Sequence, residues 1–328
     1  MIDWRTLPKV ELHLHLEGAA PPEFIRTLAA EQGVALEGVF DAEGAYRWRD
    51  FAAFLECYTA ATAVLKTPEH NRRLVEEVLR QSAVQGVVYT ELFISPDISG
   101  GADARAWAEH LAAMNDGADA VPEVEVRFVS TAVRHLGPAA ARRAAEITVN
   151  GPHKRLTGFG MGGQERYLTQ GDFAAAFAVA GEAGLGLTTH AGEMAGPESV
   201  RDALDHLGVT RIGHGVRAVE DPVLVERIIA ENITLEVNPG SNVALGVYPD
   251  WQSHPITRLR DACARVTVST DDPPYFQTDL SHEYSQLTAL HGWTRADFDA
   301  QNRVALAAAF CDDATRARLA PLFQETTP

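Results

Sequence analysis

Eight short segments with the composition of buried β-strands recur along this 328-residue chain and alternate with helical stretches. Most are rich in β-branched residues, and they lie at residues 10–16, 86–93, 124–129, 156–160, 185–189, 210–213, 233–237 and 265–269. The stretches between them, for example 171–184 and 222–232, carry apolar residues at helical spacing. Eight strands that alternate with helices over this length predict an α/β fold of the (β/α)8 TIM barrel type.

The competing α/β arrangement is a doubly wound open sheet. Its dinucleotide-binding form has a Gly-x-Gly-x-x-Gly turn after the first strand, and no such turn follows residue 16 here. The spacing has one irregularity, because about 70 residues separate the first two strands and include helical patterns at 22–32 and 51–65. We therefore expect a single barrel domain over residues 1–328, with a helical insertion at about 19–85 between the first and second strands.

Charge and composition exclude several kinds of partner. A formal net charge of −17 disfavours binding to nucleic-acid backbones and to anionic membranes, and no apolar run is long enough to span a bilayer. The first residues show no basic region followed by an apolar one, and the three cysteines form no Cys-x-x-Cys motif. The sequence thus predicts a cytoplasmic protein that acts on a small molecule, and it leaves the oligomeric state open.

The first strand carries two histidines that point to the same side. Apolar residues occupy the positions between and around His13 and His15, which is the period of a β-strand. Two imidazoles on one face can bind a transition metal. Such a pair also occurs in half-exposed strands that bind no metal. The residues at the other strand ends are therefore needed to choose between a metal site and an ordinary strand.

Polar residues collect where the later strands end, which is the face that carries the active site in TIM barrels. The fifth strand is followed by His190 and Glu193, the sixth by His214, and the eighth by Asp271 and Asp272. Each residue alone is also compatible with a buried structural role. Because all of them would meet the histidines of the first strand at one end of the barrel, the set as a whole predicts a functional site.

Ligand chemistry divides these residues into two groups. Four of them offer three nitrogens and one oxygen, a set that suits Zn²⁺ or a similar ion, namely His13, His15, His190 and Asp271. A catalytic metal of this kind activates water, and Glu193 and His214 are the candidates for the general acid and base. The glycines at 162 and 163 would let a backbone amide approach a ligand, or would only form a tight turn.

Four motifs in this order resemble the adenosine deaminase family of the amidohydrolase superfamily. They are His-Leu-His-Leu-Glu-Gly at 13–18, His-Ala-Gly-Glu at 190–193, Gly-His-Gly at 213–215 and Ser-Thr-Asp-Asp-Pro at 269–273. The resemblance covers nearly the whole chain, from residue 7 to about residue 284. It implies a metal-dependent hydrolase barrel that removes the amino group from carbon 6 of a purine.

The resemblance also implies roles for individual residues. One Zn²⁺ ion would be bound by the four ligands named above, Glu193 would protonate purine N1, and His214 would orient the attacking water. Asp272 would contact N7, and the backbone N–H of Gly163 would contact N3. Related hydrolases hold a second metal with a carbamylated lysine, and residues 160–163 contain no lysine, which favours a single ion.

The substrate within this family depends on Glu17. Typical adenosine deaminases have aspartate at this position, where it contacts the ribose, whereas glutamate is common in adenine deaminases and other branches. We expect conversion of adenosine to inosine and ammonia, with deamination of adenine to hypoxanthine, or of a modified adenine or adenosine, as the alternative. A metallohydrolase that acts on another bond and a non-catalytic binding protein are further alternatives, and the intact Glu193 argues against the second.

Three apolar residues of the insertion are candidates for a lid, namely Phe51, Phe54 and Leu55. A hydrophobic lid over the purine would exclude water from the reaction. The alternative is ordinary packing of an insertion helix against the barrel, which requires no role in catalysis.

Overall fold

The computed structural model describes residues 2–323, which form a parallel barrel. Strands β1–β8 pair in sequence order, each parallel to the next, and this confirms the predicted (β/α)8 TIM barrel. They span Lys9–His15, Val87–Ile94, Glu125–Val133, Leu156–Gly162, Gly186–Ala191, Arg211–His214, Thr234–Val237 and Arg265–Val268. The strands are largely apolar because the barrel interior buries one face and the surrounding helices bury the other.

Within residues 2–323, fourteen helices accompany the strands. Helices α1–α14 span Pro22–Gln32, Phe51–Thr62, Pro68–Val84, Ala104–Asp119, Pro138–Asn150, Ala174–Glu182, Pro197–His206, Pro222–Ala230, Pro239–Ala244, Ile256–Asp261, Pro273–Phe276, Leu280–His291, Arg295–Ala308 and Asp313–Leu319. Several begin with proline. Proline has no backbone N–H, and it is tolerated there because an N–H in the first helical turn has no partner within the helix. Gly184 and Gly208 follow α6 and α7 with positive φ, as expected of residues that terminate helices.

The barrel closes between β8 and β1 just beyond the end of β8. The N–H of Asp271 donates to His13 O at 3.1 Å, and the N–H of His15 donates to Asp271 O at 3.0 Å. Farther from the mouth the two strands are joined through a side chain, since Ser269 Oγ accepts from the N–H groups of Leu12 and His13 at 3.2 Å. The closure places Asp271 directly beside the two histidines of β1.

The opposite end of the barrel is closed by the C-terminal helices, and both apolar side chains and a buried ion pair of Arg211 with Glu91 lie there. Val10, Leu12 and Tyr89 from the first two strands form a buried cluster with Leu306 and Leu319 from α13 and α14. A larger apolar core lies between the strands and the surrounding helices. The carboxyl end of the strands is therefore the end at which a ligand can enter.

The connection between β1 and β2 contains α1, α2 and α3. Helix α2 lies over the carboxyl ends of the strands, where Phe54 packs against Tyr275 and Phe276 with ring centroids 5.5 and 5.3 Å away. It ends at Thr62, slightly before the predicted boundary. Helix α3 instead packs against α4 and β2 on the outside of the barrel. None of the helices in the described part of the chain is long and apolar enough to cross a membrane.

Candidate active site

Four donor atoms of the predicted ligand set converge at the carboxyl end of the barrel. His190 Nε2 lies 3.1 Å from His13 Nε2 and 3.2 Å from His15 Nε2. Asp271 Oδ1 lies 3.4 Å from His13 Nε2 and 3.3 Å from His15 Nε2. Ligand atoms about 2.0–2.1 Å from a tetrahedral zinc ion stand about 3.3–3.4 Å apart. The spacing of these donors therefore fits one such ion.

Two of the ligand histidines are oriented by a second hydrogen bond. His13 Nδ1 lies 2.8 Å from Glu236 Oε2, and His190 Nδ1 lies 2.9 Å from Met161 O. The carbonyl oxygen of Met161 and the ionised carboxylate of Glu236 only accept hydrogen bonds, so both imidazoles carry a proton on Nδ1. When the imidazole is neutral, each presents an unprotonated Nε2 to the cluster, which is the form that binds a metal.

Two residues at this end have a left-handed backbone, which is unusual for residues other than glycine. The φ angle is +67° for Asp271 and +60° for His214. Such conformations cost about 1–3 kcal/mol and persist where the surrounding structure enforces them. For Asp271 the enforcement comes from the two backbone hydrogen bonds that close the barrel.

His214 faces the same space from the end of β6. Its Nε2 lies 3.9 Å from Asp271 Oδ2 and 3.7 Å from Glu193 Oε1, and no atom within residues 2–323 hydrogen-bonds to it. Together with His13, His190 and Asp271 it forms a group of donor atoms that all lie within 4.8 Å of one another. His214 is thus near enough to be an alternative ligand, but it stands farther from Asp271 than His13 and His15 do.

Glu193 is held in place by a neighbouring carboxylate, Glu165. The side chain of Glu165 accepts backbone N–H groups from Gly192 at 2.6 Å and from Glu193, Met194 and Ala195 at 3.1, 2.6 and 2.8 Å. These four bonds fix the loop after β5. Burial raises the pKa of Glu193 well above its usual range, which favours the protonated carboxyl and makes it a proton donor.

Two further carboxyls line the site and are buried. Burial raises the pKa of Asp272 well above its usual range and that of Glu17 to about 7. Asp272 Oδ1 and Glu17 Oε1 are buried, and neither has a hydrogen-bond partner in the described part of the chain. A Cβ on Gly18 would lie 1.5 Å from Asp272 Oδ1, so only glycine leaves room for this carboxyl. Unpartnered buried oxygens are costly unless a ligand supplies the missing hydrogen bonds.

The site contains a cavity of about 80 Å³, which we call the inner cavity. Besides the metal-site residues His15, His190 and Asp271, its lining includes Phe51, Phe54, Leu55, Tyr58, Gly163, Glu193, Leu245 and Asp272. A second cavity of about 250 Å³, the side cavity, lies beside it and is lined by Glu17 and Asp97 among others. His15, Leu55, Tyr58 and Gly163 line both cavities. Tyr58 also donates to Glu17 Oε2 at 3.5 Å.

The candidate lid residues all contact the inner cavity. Phe51, Phe54 and Leu55 lie on α2 and line the cavity opposite Glu193 and Asp272. Phe54 is buried and also packs against the aromatic residues that follow β8, whereas Phe51 and Leu55 are half-buried. Phe54 is thus consistent with both interpretations, because it lines the cavity and also packs the insertion against the barrel.

The structure brings the predicted site residues together and adds three that the sequence analysis missed. The additional residues are Glu165, Glu236 and Tyr58. Glu236 is a charged residue inside the short apolar strand β7, and this signal was available in the sequence. Glu165 lies just after β4, so its place at a strand end was also available in the sequence, whereas Tyr58 lies on α2 and only its tertiary contacts identify it.

The sequence is similar to known proteins over most of its length. The profile of the family described as adenosine deaminase matches residues 8–326. An adenine deaminase of Sinorhizobium medicae (strain WSM419) is 46% identical over 315 residues, which cover 95% of this chain and 97% of that protein. An adenine deaminase of Rhizobium leguminosarum bv. trifolii (strain WSM2304) is 47% identical over 320 residues, with 95% and 98% covered.

Two solved structures share the same architecture. The crystal structure of adenine deaminase from Arthrobacter aurescens has a TM-score of 0.87 and 27% sequence identity, and the match covers 97% of this chain and 98% of that chain. The crystal structure of an amidohydrolase from Burkhoderia ambifaria with bound Zn has a TM-score of 0.84 and 25% identity, with 98% and 91% covered. The likeness therefore extends over the whole barrel, including the connection between β1 and β2.

Proposed function

The chain belongs to the adenosine deaminase family, and we propose that it hydrolyses the amino group of adenine to give hypoxanthine and ammonia. From the sequence we expected adenosine as the substrate, with adenine as the alternative. Relatives that are 46% and 47% identical are named adenine deaminase, which supports the free base. The structural observation that carries the choice is the small size of the inner cavity.

The inner cavity suits a free purine base better than a nucleoside. Its volume of about 80 Å³ has room for only a few water molecules, so a base bound there leaves no space for a ribose in the same cavity. A nucleoside is about twice as large, so its ribose would have to pass between Leu55, Tyr58 and Gly163 into the side cavity. Glu17 stands at this boundary and can accept the N–H at N9 of adenine, a group that adenosine lacks.

The donor set fits one zinc ion, with His13, His15, His190 and Asp271 as its ligands. Zn²⁺ held there would supply the Lewis acid that activates the water nucleophile. The support lies in the spacing of the donor atoms and in the zinc bound by the similar amidohydrolase.

The other residues bind and polarise the purine. With carbon 6 beside the histidine cluster, the protonated carboxyl of Glu193 donates to N1 and makes carbon 6 more electrophilic. His214 Nε2 orients the attacking water, whose oxygen bonds to carbon 6. One proton of the water leaves with the amino group as ammonia, and the other returns to the carboxylate of Glu193, which gave its proton to N1. Asp272, kept protonated by burial, donates to N7, and the backbone N–H of Gly163 donates to N3.

The proposal is tested by measuring ammonia release from adenine and from adenosine at equal concentrations with zinc-loaded protein. We expect kcat/KM for adenine to exceed that for adenosine by about 100-fold or more, because a small pocket and a missing N–H contact each contribute to discrimination. A preference for adenosine, or no release of ammonia from either compound, would contradict the proposal.

The variant Glu17→Asp makes the test sharper. The shorter side chain draws back from N9 and weakens the contact with Tyr58, so the ratio of adenine to adenosine turnover should fall. If the ratio stays unchanged while activity is retained, Glu17 has no part in the choice of substrate.

A further inference from the structure

A continuous line of hydrogen bonds leads from a backbone amide to the far side of His214. The N–H of Ile256 donates to His254 Nδ1 at 3.3 Å, and His254 Nε2 lies 3.1 Å from Asn242 Oδ1. Asn242 Nδ2 in turn lies 3.0 Å from His214 Nδ1. All four residues are buried, so no exchange with bulk water interrupts the line.

The first hydrogen bond of this line determines which atom donates and which accepts in each of the others. A backbone N–H can only donate, and that of Ile256 is free to do so because it lies in the first turn of α10, where it has no partner within the helix. His254 Nδ1 must therefore accept. Burial lowers the pKa of His254 to about 3, so the ring is neutral and carries its one proton on Nε2.

The proton on His254 Nε2 then fixes the amide of Asn242. Because that N–H needs an acceptor, Asn242 turns its Oδ1 towards His254 and its Nδ2 towards His214. A second amide, Nδ2 of Asn238, lies 3.3 Å from the same His214 Nδ1. Because the oriented amide of Asn242 donates to His214 Nδ1, that ring nitrogen accepts a hydrogen bond and carries no proton.

We propose that Asn242 and His254 are positioning residues that hold His214 with its proton on Nε2. Nε2 is the atom that faces Glu193 and Asp271. His214 therefore enters the reaction as a hydrogen-bond donor to the nucleophile rather than as the base that takes its proton. The same arrangement removes the lone pair of Nε2 and so excludes His214 as a metal ligand, in favour of His15.

The inference rests on the proposed function for what His214 donates to, but the location of the proton can be measured without turnover. In protein labelled with ¹⁵N at histidine, the protonated and unprotonated ring nitrogens of His214 have clearly different chemical shifts. The signals are assigned by their loss in His214→Gln. We expect the proton on Nε2 in the zinc-loaded protein, and a proton on Nδ1 would overturn the proposal.

The variant Asn242→Asp separates the donor role from the base role. A carboxylate accepts from His214 Nδ1, so it draws the proton to Nδ1 and leaves Nε2 bare. If His214 acts as a donor, we expect kcat for adenine to fall about 100-fold or more, with bound zinc unchanged and KM changed much less. If His214 acts as a base, the added carboxylate strengthens it, and retained or increased kcat would overturn the proposal.

Two further variants separate this effect from a general loss of structure. Asn115→Asp makes the same isosteric change at a buried residue of α4, remote from the site, where Arg155 supports the new carboxylate. It should leave kcat and the His214 signals unchanged. His254→Phe frees the amide of Asn242 to rotate, so it should give a mixture of the two His214 forms and a smaller loss of kcat than Asn242→Asp.

The outcomes also distinguish a failure of the inference from a failure of the proposed function. If the wild-type protein releases no ammonia from adenine, the proposed function fails, and the ¹⁵N spectrum still decides where the proton lies. If Asn242→Asp does not fold, the spectra of the wild type and of His254→Phe decide the matter.

Discussion

Two groups of buried carboxylates occupy the same barrel and differ in whether a cation neutralises their charge. In the interior group, Glu91 and Glu236 both pair with Arg211, at 2.5 and 2.6 Å. In the mouth group, which comprises Glu17, Glu193 and Asp272, two oxygens are buried without a hydrogen-bond partner in the described part of the chain. Burial acts on both groups, but Arg211 nevertheless lowers the pKa of Glu236, whereas the pKa of each mouth carboxyl is raised.

The difference separates carboxylates that hold the fold together from those that await a ligand. A buried ion pair is costly to break, because the remaining charge is left in a medium that solvates it poorly. A buried carboxyl without a partner does not stabilise the fold, and its retention indicates a use in binding or catalysis. Substitutions in the interior group should therefore change stability, and substitutions in the mouth group should change activity.

The largest expected effect comes from Glu193→Gln in the mouth group. The amide keeps the size of the side chain but cannot transfer a proton to N1, so kcat for adenine should fall by about 10²–10⁴-fold. Bound zinc, measured by elemental analysis, should be unchanged, and stability should change by less than about 1 kcal/mol. Retained activity would remove Glu193 from the mechanism.

The next largest effect is expected from Arg211→Met in the interior group. The change leaves Glu91 and Glu236 without their cation, so the free energy of unfolding should fall by about 3–5 kcal/mol. Chemical denaturation measures this loss. The surface variant Arg105→Met, which removes an exposed pair with Glu109, is the control and should cost less than about 1 kcal/mol. Equal losses of unfolding free energy in the two variants would show that the interior ion pairs contribute no more to stability than the surface pair.

Glu236→Gln tests a residue that contacts both the interior ion pairs and the histidines at the mouth of the barrel. Glu236 pairs with Arg211 on one side and holds His13 Nδ1 at 2.8 Å on the other. Loss of the carboxylate should weaken zinc binding by about 10–100-fold, as measured by competition with a chelator. Thr188→Val, which removes only a hydroxyl that donates to Glu236, should weaken it less. Unchanged zinc affinity in Glu236→Gln would confine Glu236 to a structural role.

The smallest effect is expected from Leu55→Ala over the inner cavity. Leu55 is half-buried and lines both cavities, so its loss should raise KM for adenine several-fold while the melting temperature changes little. Phe54→Ala is the matched comparison, because removal of this buried ring should cost about 3–5 kcal/mol of stability. A stability loss in Leu55→Ala as large as that in Phe54→Ala would favour simple packing of α2 over a lid.

The ligand histidines and Asp271 were predictable because of a general property of parallel barrels. The carboxyl ends of all strands meet on one face, so a polar residue near or just after the carboxyl end of a strand is assigned to that face without knowledge of the packing. His13, His190 and His214 are such residues, and the period of a strand is enough to place His15 beside His13. Helix boundaries were predictable to within a few residues, since glycine and proline mark them locally.

The sequence by itself therefore determined the barrel and the set of side chains at its mouth, through local periodicity and the order of the strands. Only the tertiary structure decided which partners these side chains have. Glu165 lies 28 positions from Glu193, and Glu236 lies 223 positions from His13, so no local pattern connects them. The positions of Tyr58 beside Glu17, and of His254 behind Asn242, depend on how α2 and the loop before α10 pack. Hydrogen bonds of this kind orient and charge the catalytic groups, and they form only when segments distant in the sequence meet in three dimensions.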